Sequence, residues 1–406
     1  MNTLTADNSN TSTDTAPPAA AQAVMKLLHN LSVGHLTVHL PDGSQRTFGP
    51  HCGPHASIVF HNWNVCSAAL KSGDIGFAES YIAGDWSSPD LVALLNLFVA
   101  NRKTMDEVIF GSWWGRLAYR IKHLLNRNTK SNSRKNIHAH YDLGNAFYQL
   151  WLDETMNYSS ALFEGNTQQS LPQAQHAKVR RALSMAGVQP GDRVLEIGCG
   201  WGALAEKGAA EFGAHMTGVT LSTEQLAYAQ DRLARMGLSE RADLRLQDYR
   251  DIADEPFDAI CSIEMIEAVG KEYWPTYFET VNRLLKPGGR ACIQAITIRN
   301  DLFDRYLKST DFIQQYIFPG GCLLSPQVVE QQAAQAGLKV VDSLSFGKDY
   351  GLTCKLWRER FLAQREAVLA LGFDERFMRI WEFYLAYCEA GFETGDIDVV
   401  QFTLSK

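Results

Sequence analysis

The chain has 406 residues, with 38 Lys and Arg against 45 Asp and Glu and a formal net charge of -7. This length exceeds one ordinary domain and predicts two or three. The negative net charge argues against a nucleic-acid-binding protein. The eight cysteines form no C-x-x-C pair, which favours reduced thiols in a cytoplasmic protein, and no group of residues has the spacing of metal ligands.

The first predicted segment is a disordered tail at residues 1–21, which is rich in Thr, Ser, Asn, Ala and Pro. It has no basic residue and no apolar stretch, so it is not expected to be a signal peptide. The longest apolar run, at residues 91–100, is interrupted by Asn96. Because a membrane-spanning helix needs roughly 20 apolar residues, we expect any contact with a membrane to come from the side.

Residues 22–110 are predicted to form an N-terminal domain that engages lipid. A helical pattern at 22–31 is followed by strands at 35–39 and 45–48, which the turn sequence Pro-Asp-Gly-Ser at 41–44 joins into a hairpin. Further helical segments follow. Ser87-Ser88-Pro89-Asp90 offers a serine cap and a first-turn proline for a helix at 91–97.

A basic segment, taken as the linker 111–136, separates this domain from the rest. No Asp or Glu occurs between residues 108 and 141, and seven Lys or Arg lie between 116 and 135. One interpretation is a solvated linker. The other is a patch for anionic phospholipid head groups, where each basic residue contributes about 1 kcal/mol. The sequence leaves both open.

Residues 137–406 are predicted to form an α/β domain with a doubly wound, mostly parallel sheet. Strand patterns at 193–197, 215–220, 244–247, 257–262 and 290–296 alternate with helical patterns at 173–186, 202–212, 223–236 and 273–285. This rhythm is typical of βαβ units. Further helices are expected at 300–380, and a last strand at 399–403.

A glycine-rich loop after the first strand of this domain predicts a nucleotide-type ligand. Its spacing is G-x-G-x-G, and glycines there let the backbone approach a ligand closely. An acidic residue at the strand end suits a cationic or hydroxyl-rich ligand better than a pyrophosphate, which points to S-adenosylmethionine. A purely structural turn is the weaker interpretation. The residues assigned to the cofactor here are Glu196, Gly198, Cys199, Gly200 and Gly202.

The next two strand ends supply the remaining cofactor contacts in this prediction. After the second strand, Thr220, Leu221, Ser222 and Gln225 offer hydroxyl and amide groups for a ribose. After the third, Asp248, Tyr249 and Arg250 are expected to bracket an adenine, with the tyrosine ring on its face. Asp248 also has a simpler interpretation as a helix cap.

The chain resembles the cyclopropane fatty acid synthases, which include the mycolic acid cyclopropane synthases. The resemblance runs from about residue 25 to the end. It is carried by segments in both predicted domains, at residues 73–86, 137–145, 156–161, 195–203, 218–222, 247–250, 264–270, 316–321 and 384–392.

The resemblance implies a Rossmann-like class I methyltransferase with a smaller, mostly helical N-terminal domain. The implied reaction moves a methyl carbon from S-adenosylmethionine to the double bond of unsaturated acyl chains of membrane phospholipids, most simply forming a cyclopropane ring. It also implies a homodimer that is cytoplasmic and peripherally associated with the inner face of an anionic membrane. The family's cofactor contacts include Tyr158 and Ser159, and aromatic rings that stabilise a carbocation are sought among Tyr141, Phe147, Tyr158 and Tyr316.

In this family a bound bicarbonate is the base, and its residues map onto five positions of this chain. Two depart from the common pattern, because Ser160 replaces a cysteine and Gln294 a histidine. Both side chains still form hydrogen bonds, Ser160 through its hydroxyl. Glu267 is favoured strongly over Glu264 for a catalytic role, and Cys388 matches a family cysteine but is also consistent with an inert buried thiol. The catalytic set is Ser160, Glu267, Gln294, Ile296, Tyr350 and Cys388.

Three alternatives remain at this stage. A weakened base would leave a methylene- or methyl-branched acyl chain instead of a ring. A methyltransferase acting on a soluble small molecule would need neither the N-terminal domain nor the basic segment. A lipid-binding protein without catalysis would need neither the glycine loop nor Glu267.

Overall fold

The computed structural model describes residues 17–102 and 143–406. Most of the predicted disordered tail and the whole predicted basic linker lie outside these residues, as does Tyr141. The interpretations of those segments therefore stay predictions.

In its described residues, the N-terminal domain combines three helices with a small sheet. Its elements are α1 (Ala19–Leu28), β1 (His35–His39), β2 (Gln45–Phe48), β3 (His55–Phe60), α2 (Asn64–Ala83), β4 (Trp86–Ser87) and α3 (Leu91–Ala100). The sheet order is β2-β1-β3-β4. β1 and β2 form the predicted antiparallel hairpin, and β3 and β4 extend the sheet beyond it. The helices contain more residues than the strands, as expected.

The start of α3 differs from its prediction. Asp90 is the N-cap, because its side chain accepts a hydrogen bond from the backbone N–H of Ala93 at 2.9 Å. Pro89 therefore precedes the cap and is not in the first turn. The hydroxyl of Ser88 donates instead to the carbonyl of Ser57 at 2.7 Å. The carboxylate is a good cap acceptor in its own right, which explains why the serine is released for this contact.

The second domain has seven strands and, among its described residues, eleven α-helices. The strands are β5 (Arg193–Ile197), β6 (His215–Thr220), β7 (Ala242–Leu246), β8 (Phe257–Ile263), β9 (Leu285–Ile298), β10 (Lys339–Ser345) and β11 (Ile397–Ser405). The helices are α4 (Asn145–Gln149), α5 (Leu171–Met185), α6 (Ala203–Ala210), α7 (Thr223–Arg235), α8 (Trp274–Leu284), α9 (Asn300–Tyr306), α10 (Phe312–Tyr316), α11 (Pro326–Gln335), α12 (Gly347–Ala363), α13 (Arg365–Ala370) and α14 (Glu375–Thr394).

The seven strands form one sheet in the order β10-β11-β9-β8-β5-β6-β7. β5 to β9 pair in parallel, while β11 runs antiparallel to β9 and β10. The predicted doubly wound, mostly parallel sheet is thus confirmed. Strand order reverses beside β5, which has β6 on one side and β8 on the other. Ligands of such sheets bind outside the carboxyl ends of the strands at this reversal.

Helix α14 joins the two domains. The hydroxyl of Tyr81 in α2 donates to Glu382 at 2.8 Å, and Arg379 donates to the carbonyl of Tyr81 at 3.0 Å. Asn96 in α3 donates to Glu393 at 2.7 Å. One apolar core runs through both domains and includes residues of α1, α2, α3 and α14. In the described parts of the chain, no helix combines the length and apolar character needed to cross a membrane.

Candidate active site

The glycine loop lies at the carboxyl end of β5, at the strand reversal. Gly198 and Gly202 have φ angles of 88° and 83°, which glycine adopts most readily. A Cβ on Gly198 would lie 2.9 Å from the Met265 side chain, and one on Gly202 would lie 2.9 Å from that of Ala229. The loop therefore passes close to the segment after β8, which contains Met265, and to helix α7. It lines a cavity of about 560 Å³.

Glu196 supplies a buried acidic group at this loop. Its side chain is 3% exposed, and its Oε2 has no hydrogen-bond partner among the described residues. Burial raises the pKa of Glu196 to about 8, although Lys178 opposes the shift. An unpaired carboxyl oxygen on a cavity wall is a place for a donor of a ligand. The ammonium or hydroxyl groups of S-adenosylmethionine fit this requirement.

The residues assigned to ribose form a small hydrogen-bonded unit. Ser222 caps α7 by accepting from the backbone N–H of Gln225 at 3.2 Å, and Thr220 donates to the Gln225 side chain at 3.1 Å. Thr220, Leu221 and Gln225 line the cavity. The unit presents a preformed polar edge next to the glycine loop.

The residues assigned to adenine form a second edge of the cavity. Asp248 accepts from the guanidinium of Arg250 at 2.8 and 2.6 Å and caps the following turn through the Arg250 backbone N–H at 3.0 Å. The cap interpretation of Asp248 is thus confirmed by this geometry. The Tyr249 ring is almost fully buried and packs at 5.7 Å from Tyr277. The adenine contact itself stays a prediction.

Lys178 is a site residue that the sequence analysis missed. It lies on α5, is 0% exposed, and its ammonium donates to the Ser159 hydroxyl. Burial lowers the pKa of Lys178 to about 8, against the attraction of Glu264 and other nearby carboxylates. A lysine between Ala174 and Ala182, at helical spacing on the buried face of α5, was the available signal.

Glu264 is the centre of the catalytic residues. Its carboxylate accepts hydrogen bonds from the Ser160 backbone N–H at 2.9 Å, from the Gln294 side-chain amide at 2.6 Å and from the Tyr350 hydroxyl at 2.6 Å. Burial raises the pKa of Glu264, while the positive charge of Lys178 and these donors oppose the rise. The structure therefore brings three of the predicted catalytic residues together around the glutamate that the sequence favoured less.

The backbone at Glu264 is unusual. Its φ angle is 49°, in the left-handed region that residues with a Cβ rarely adopt. Such a conformation costs on the order of 1 kcal/mol and persists only where its surroundings enforce it. Here its own N–H donates to the Gln294 carbonyl at 2.8 Å, and its carboxylate is held by three donors.

Two further side chains, Gln401 and Arg181, fix the orientation of the Gln294 amide. Gln401 donates to the Gln294 oxygen at 2.9 Å, and Arg181 donates to the Gln401 oxygen at 2.6 Å. Arginine has donors and no acceptor, so the direction of every bond in this chain is set. Gln294 must then present its NH₂ group to Glu264. Gln401 and Arg181 lie far from Gln294 in sequence, and no local motif indicates them.

Glu267 lies beside this centre. One oxygen accepts from the Ile296 backbone N–H at 2.5 Å, and the other has no partner among the described residues. Burial and the neighbouring charge of Glu264 raise the pKa of Glu267 to about 8. At neutral pH, Glu267 is therefore mostly protonated, while the three donors and Lys178 around Glu264 favour the charged form of that carboxyl group.

Two predicted roles need correction. The Ser160 hydroxyl donates to the carbonyl of Ala161 at 2.9 Å, so Ser160 contributes its backbone N–H and not its hydroxyl. Among the proposed carbocation-stabilising rings, Tyr158 lines the cavity. Phe147 is instead 0% exposed among Trp151, Trp381 and other rings. These positions follow from packing that the sequence does not reveal.

Tyr316 does not lie where a carbocation-stabilising ring was expected, whereas Cys388 agrees with its interpretation as an inert thiol. Tyr316 donates its hydroxyl to Glu79 in α2, which ties it to the contact between the domains. Cys388 lines the cavity near Tyr350, but burial raises the pKa of its thiol. A thiol with a raised pKa is a poor nucleophile, as the interpretation of an inert cysteine predicts.

Within the described ranges, no group of three or more His, Cys, Asp or Glu is arranged to hold a metal ion.

The comparisons with known proteins agree with this geometry. A family model described as mycolic acid cyclopropane synthetase matches residues 128–402. The chain belongs to the mycolic acid cyclopropane synthetase family. A solved member, the mycolic acid cyclopropane synthase CmaA1 complexed with SAH and CTAB, matches with a TM-score of 0.63 and 34% identity. That match covers 67% of this chain and 98% of the other.

Two curated relatives of this synthetase family extend over the N-terminal domain. The tuberculostearic acid methyltransferase UfaA1 of Mycobacterium tuberculosis is 40% identical over 398 residues, covering 96% of this chain and 92% of that protein. The cyclopropane-fatty-acyl-phospholipid synthase of Escherichia coli K12 is 34% identical over 351 residues, covering 86% and 88%. This member of the family is thus an S-adenosylmethionine-dependent methyltransferase with the class I fold.

Proposed function

We propose that this protein transfers a methyl carbon from S-adenosylmethionine to the double bond of an unsaturated acyl chain of a phospholipid, and that Glu264 is the base. The observation that carries the proposal is the Glu264 carboxylate, held by three donors on the wall of a cavity that also includes the glycine loop. The family and both curated relatives, which are named for fatty acyl or tuberculostearic acid substrates, support the choice of a lipid.

The chemistry follows from the weakness of an alkene as a nucleophile. Bound S-adenosylmethionine supplies a methyl group activated by a sulfonium. The π electrons of the acyl double bond would form the new C–C bond as the S–CH₃ bond of the sulfonium breaks and S-adenosylhomocysteine leaves, which would put a carbocation on the other alkene carbon. Tyr158 and Tyr384, whose hydroxyls lie 2.7 Å apart at the cavity wall, offer aromatic faces that stabilise a cation. Glu264 then takes a proton from the transferred methyl carbon.

A bound bicarbonate does not fit beside this arrangement. The donors that would hold it at Ser160, Gln294 and Tyr350 already donate to Glu264. A second anion would share a buried site with Glu264, and like charges there are unfavourable. We therefore assign the base to the protein itself.

The positive φ of Glu264 makes a direct test available. Glycine adopts that backbone conformation freely, so Glu264→Gly removes the carboxylate and leaves a space of its size. We expect the rate to fall about 10²–10⁴-fold and to recover in part when bicarbonate or formate is added. Glu264→Gln fills the space and serves as the matched variant that small anions do not rescue. The role is wrong if wild-type enzyme requires added bicarbonate, or if Glu264→Gln keeps the full rate.

Loss of a proton from the transferred methyl leads to two products. Closure onto the cation gives a cyclopropane ring, which the family and the Escherichia coli relative favour by name. The second candidate is a methylene branch, formed when the cation first moves to the methyl-bearing carbon by a hydride shift. The relation to the tuberculostearic acid methyltransferase favours it. A saturated methyl branch would need a hydride donor in addition.

The lipid surface is a further part of the proposal. The basic segment at 111–136 would meet anionic head groups from the cytoplasmic side, and the enzyme would act as a homodimer. Vesicles of unsaturated anionic phospholipid should therefore be labelled by a cofactor with a radioactive methyl group. Equal labelling of fully saturated vesicles would contradict the alkene mechanism, and labelling of a soluble amine only would favour a small-molecule acceptor.

A further inference from the structure

The cavity that contains the reaction centre continues into the N-terminal domain. Its wall includes Glu264 and Tyr350, and also Leu28 of α1, Leu36 of β1 and Ile58 of β3. The last three side chains are at most 2% exposed to solvent. This end of the cavity therefore lies inside the core of the N-terminal domain and not at the surface.

Helix α2 forms one wall of this inner end. Cys66 and Ala69 line the cavity and are 1% and 3% exposed. Ser67, between them, is exposed on the outer side of the same helix. Small side chains at these two inner positions keep the space open.

Two carboxyl groups at the junction of the two domains, those of Asp74 and Asp311, have raised pKa values. Tyr387 of α14 donates its hydroxyl to Asp74 of α2 at 3.3 Å. Burial and the nearby Asp311 raise the pKa of Asp74 to about 7, and burial raises that of Asp311 to about 6. Asp74 is therefore partly neutral at physiological pH, and a hydrocarbon chain passes it at a lower cost than it would pass a full charge.

We infer that the N-terminal domain holds the methyl-terminal segment of the acyl chain, and that Cys66 and Ala69 limit its length. The inference rests on the proposed function. The reverse orientation would bury a charged head group inside an apolar core, which costs far more than burying hydrocarbon. The cavity is continuous with the reaction centre, so the segment beyond the double bond is the part of the substrate that reaches this end.

The test varies only the length of the acyl chain beyond its double bond. Oleoyl and myristoleoyl phospholipids have the same chain between head group and double bond and differ in the methylenes beyond it. Ala69→Phe should lower kcat/KM for oleoyl vesicles at least about 10-fold, since each excluded methylene costs about 4-fold. Myristoleoyl vesicles should change less than about 2-fold. Cys66→Leu is a milder second variant, and Ser67→Phe is the matched control on the outer side of α2.

A binding measurement separates this inference from the reaction. Calorimetry with free oleate and myristoleate should show that Ala69→Phe and Cys66→Leu weaken oleate binding selectively, while S-adenosylmethionine binding confirms a folded protein. Equal losses for both chain lengths, or no loss for either, would overturn the inference. If the wild type labels neither lipid, the proposed function fails, and the ratio of the two fatty-acid affinities still decides what this end of the cavity holds.

Discussion

Glu264 and Glu267 occupy one connection after β8, yet their surroundings act differently on the two carboxyl groups. Glu264 has three donors and the attraction of Lys178, whereas Glu267 has one donor and an oxygen without a partner among the described residues. Sequence position alone treats the two residues as equivalent. The distinction depends on side chains from α5, β9, β11 and α12, which the fold brings together. For this reason the sequence indicated the set of residues but not its centre.

The hydrogen bonds from Arg181 to Gln401 and from Gln401 to Gln294 predict a change in the pH dependence of the rate. Gln401→Leu leaves the Gln294 amide free to turn its oxygen toward Glu264. Losing a donor disfavours the charged carboxylate, so the pKa of Glu264 should rise further. The acid limb of kcat should move to higher pH, with about a 10-fold loss of rate below the limb's midpoint, because the base acts only when deprotonated.

A matched control lies on the same strand. Thr403 is also fully buried on β11, and its hydroxyl has no partner among the described residues, so Thr403→Val should leave the pH profile unchanged. Rates measured from pH 5 to 9 decide the matter. An unshifted acid limb in Gln401→Leu would show that Gln401 does not orient the Gln294 amide.

Glu196 makes a prediction for stability. Its pKa is about 8 in the folded protein against an ordinary value of 4.5, so the folded state holds this proton more tightly than the unfolded state. Its contribution is complete below pH 4.5 and is lost as pH rises toward 8. Without cofactor, Glu196→Gln should match the wild type in thermal unfolding near pH 5 and exceed it near pH 8 by a few kcal/mol at most, at about 1.4 kcal/mol per pKa unit. Glu196→Gln should also bind S-adenosylmethionine more weakly. A difference in Tm between the two proteins that stays constant from about pH 5 to pH 8 would contradict the raised pKa of Glu196.

At the scale of elements, the sequence predicted best the strands that an apolar run or a turn sequence marks. The bounds of β1, β2, β5 and β6 agree with their patterns, because an apolar run or a hairpin turn defines each of them. β10 was missed because it is an edge strand whose residues are mostly exposed. Its neighbour β11 supplies the pairing, and a partner distant in sequence leaves no local periodicity.

Helix α3 gives a test at this scale. Asp90→Ala should cost about 1 kcal/mol and lower Tm by roughly 2 °C, because the Ala93 N–H loses its acceptor. Asp90→Asn retains a cap acceptor and should remain close to the wild type. Differential scanning calorimetry of both variants decides between the cap and a simple effect of charge. Equal losses in the two variants would point to charge.

At the scale of the molecule, the N-terminal domain and the methyltransferase domain form one functional unit. One apolar core runs through both, and one cavity is lined by both. The sequence predicted two domains from length and from the change in pattern. It could not predict the shared cavity, because the α2 residues that line it are separated from Glu264 by almost half of the chain. This arrangement explains why an enzyme for a long hydrophobic substrate has its cofactor loop in one domain and apolar space in the other.

The most direct test of the central claim follows the transferred carbon. Purified protein is incubated with unsaturated phospholipid vesicles and S-adenosylmethionine carrying a fully deuterated methyl group, and the acyl chains are analysed by mass spectrometry. We predict a gain of one carbon that retains all but one of the methyl deuterons, because Glu264 removes one of them. The ring and the methylene branch have the same mass, so the chains are also analysed after ozonolysis, which cleaves the methylene branch and leaves the ring intact. Acyl chains that keep the intact deuterated methyl group, or that gain no carbon, would contradict the account.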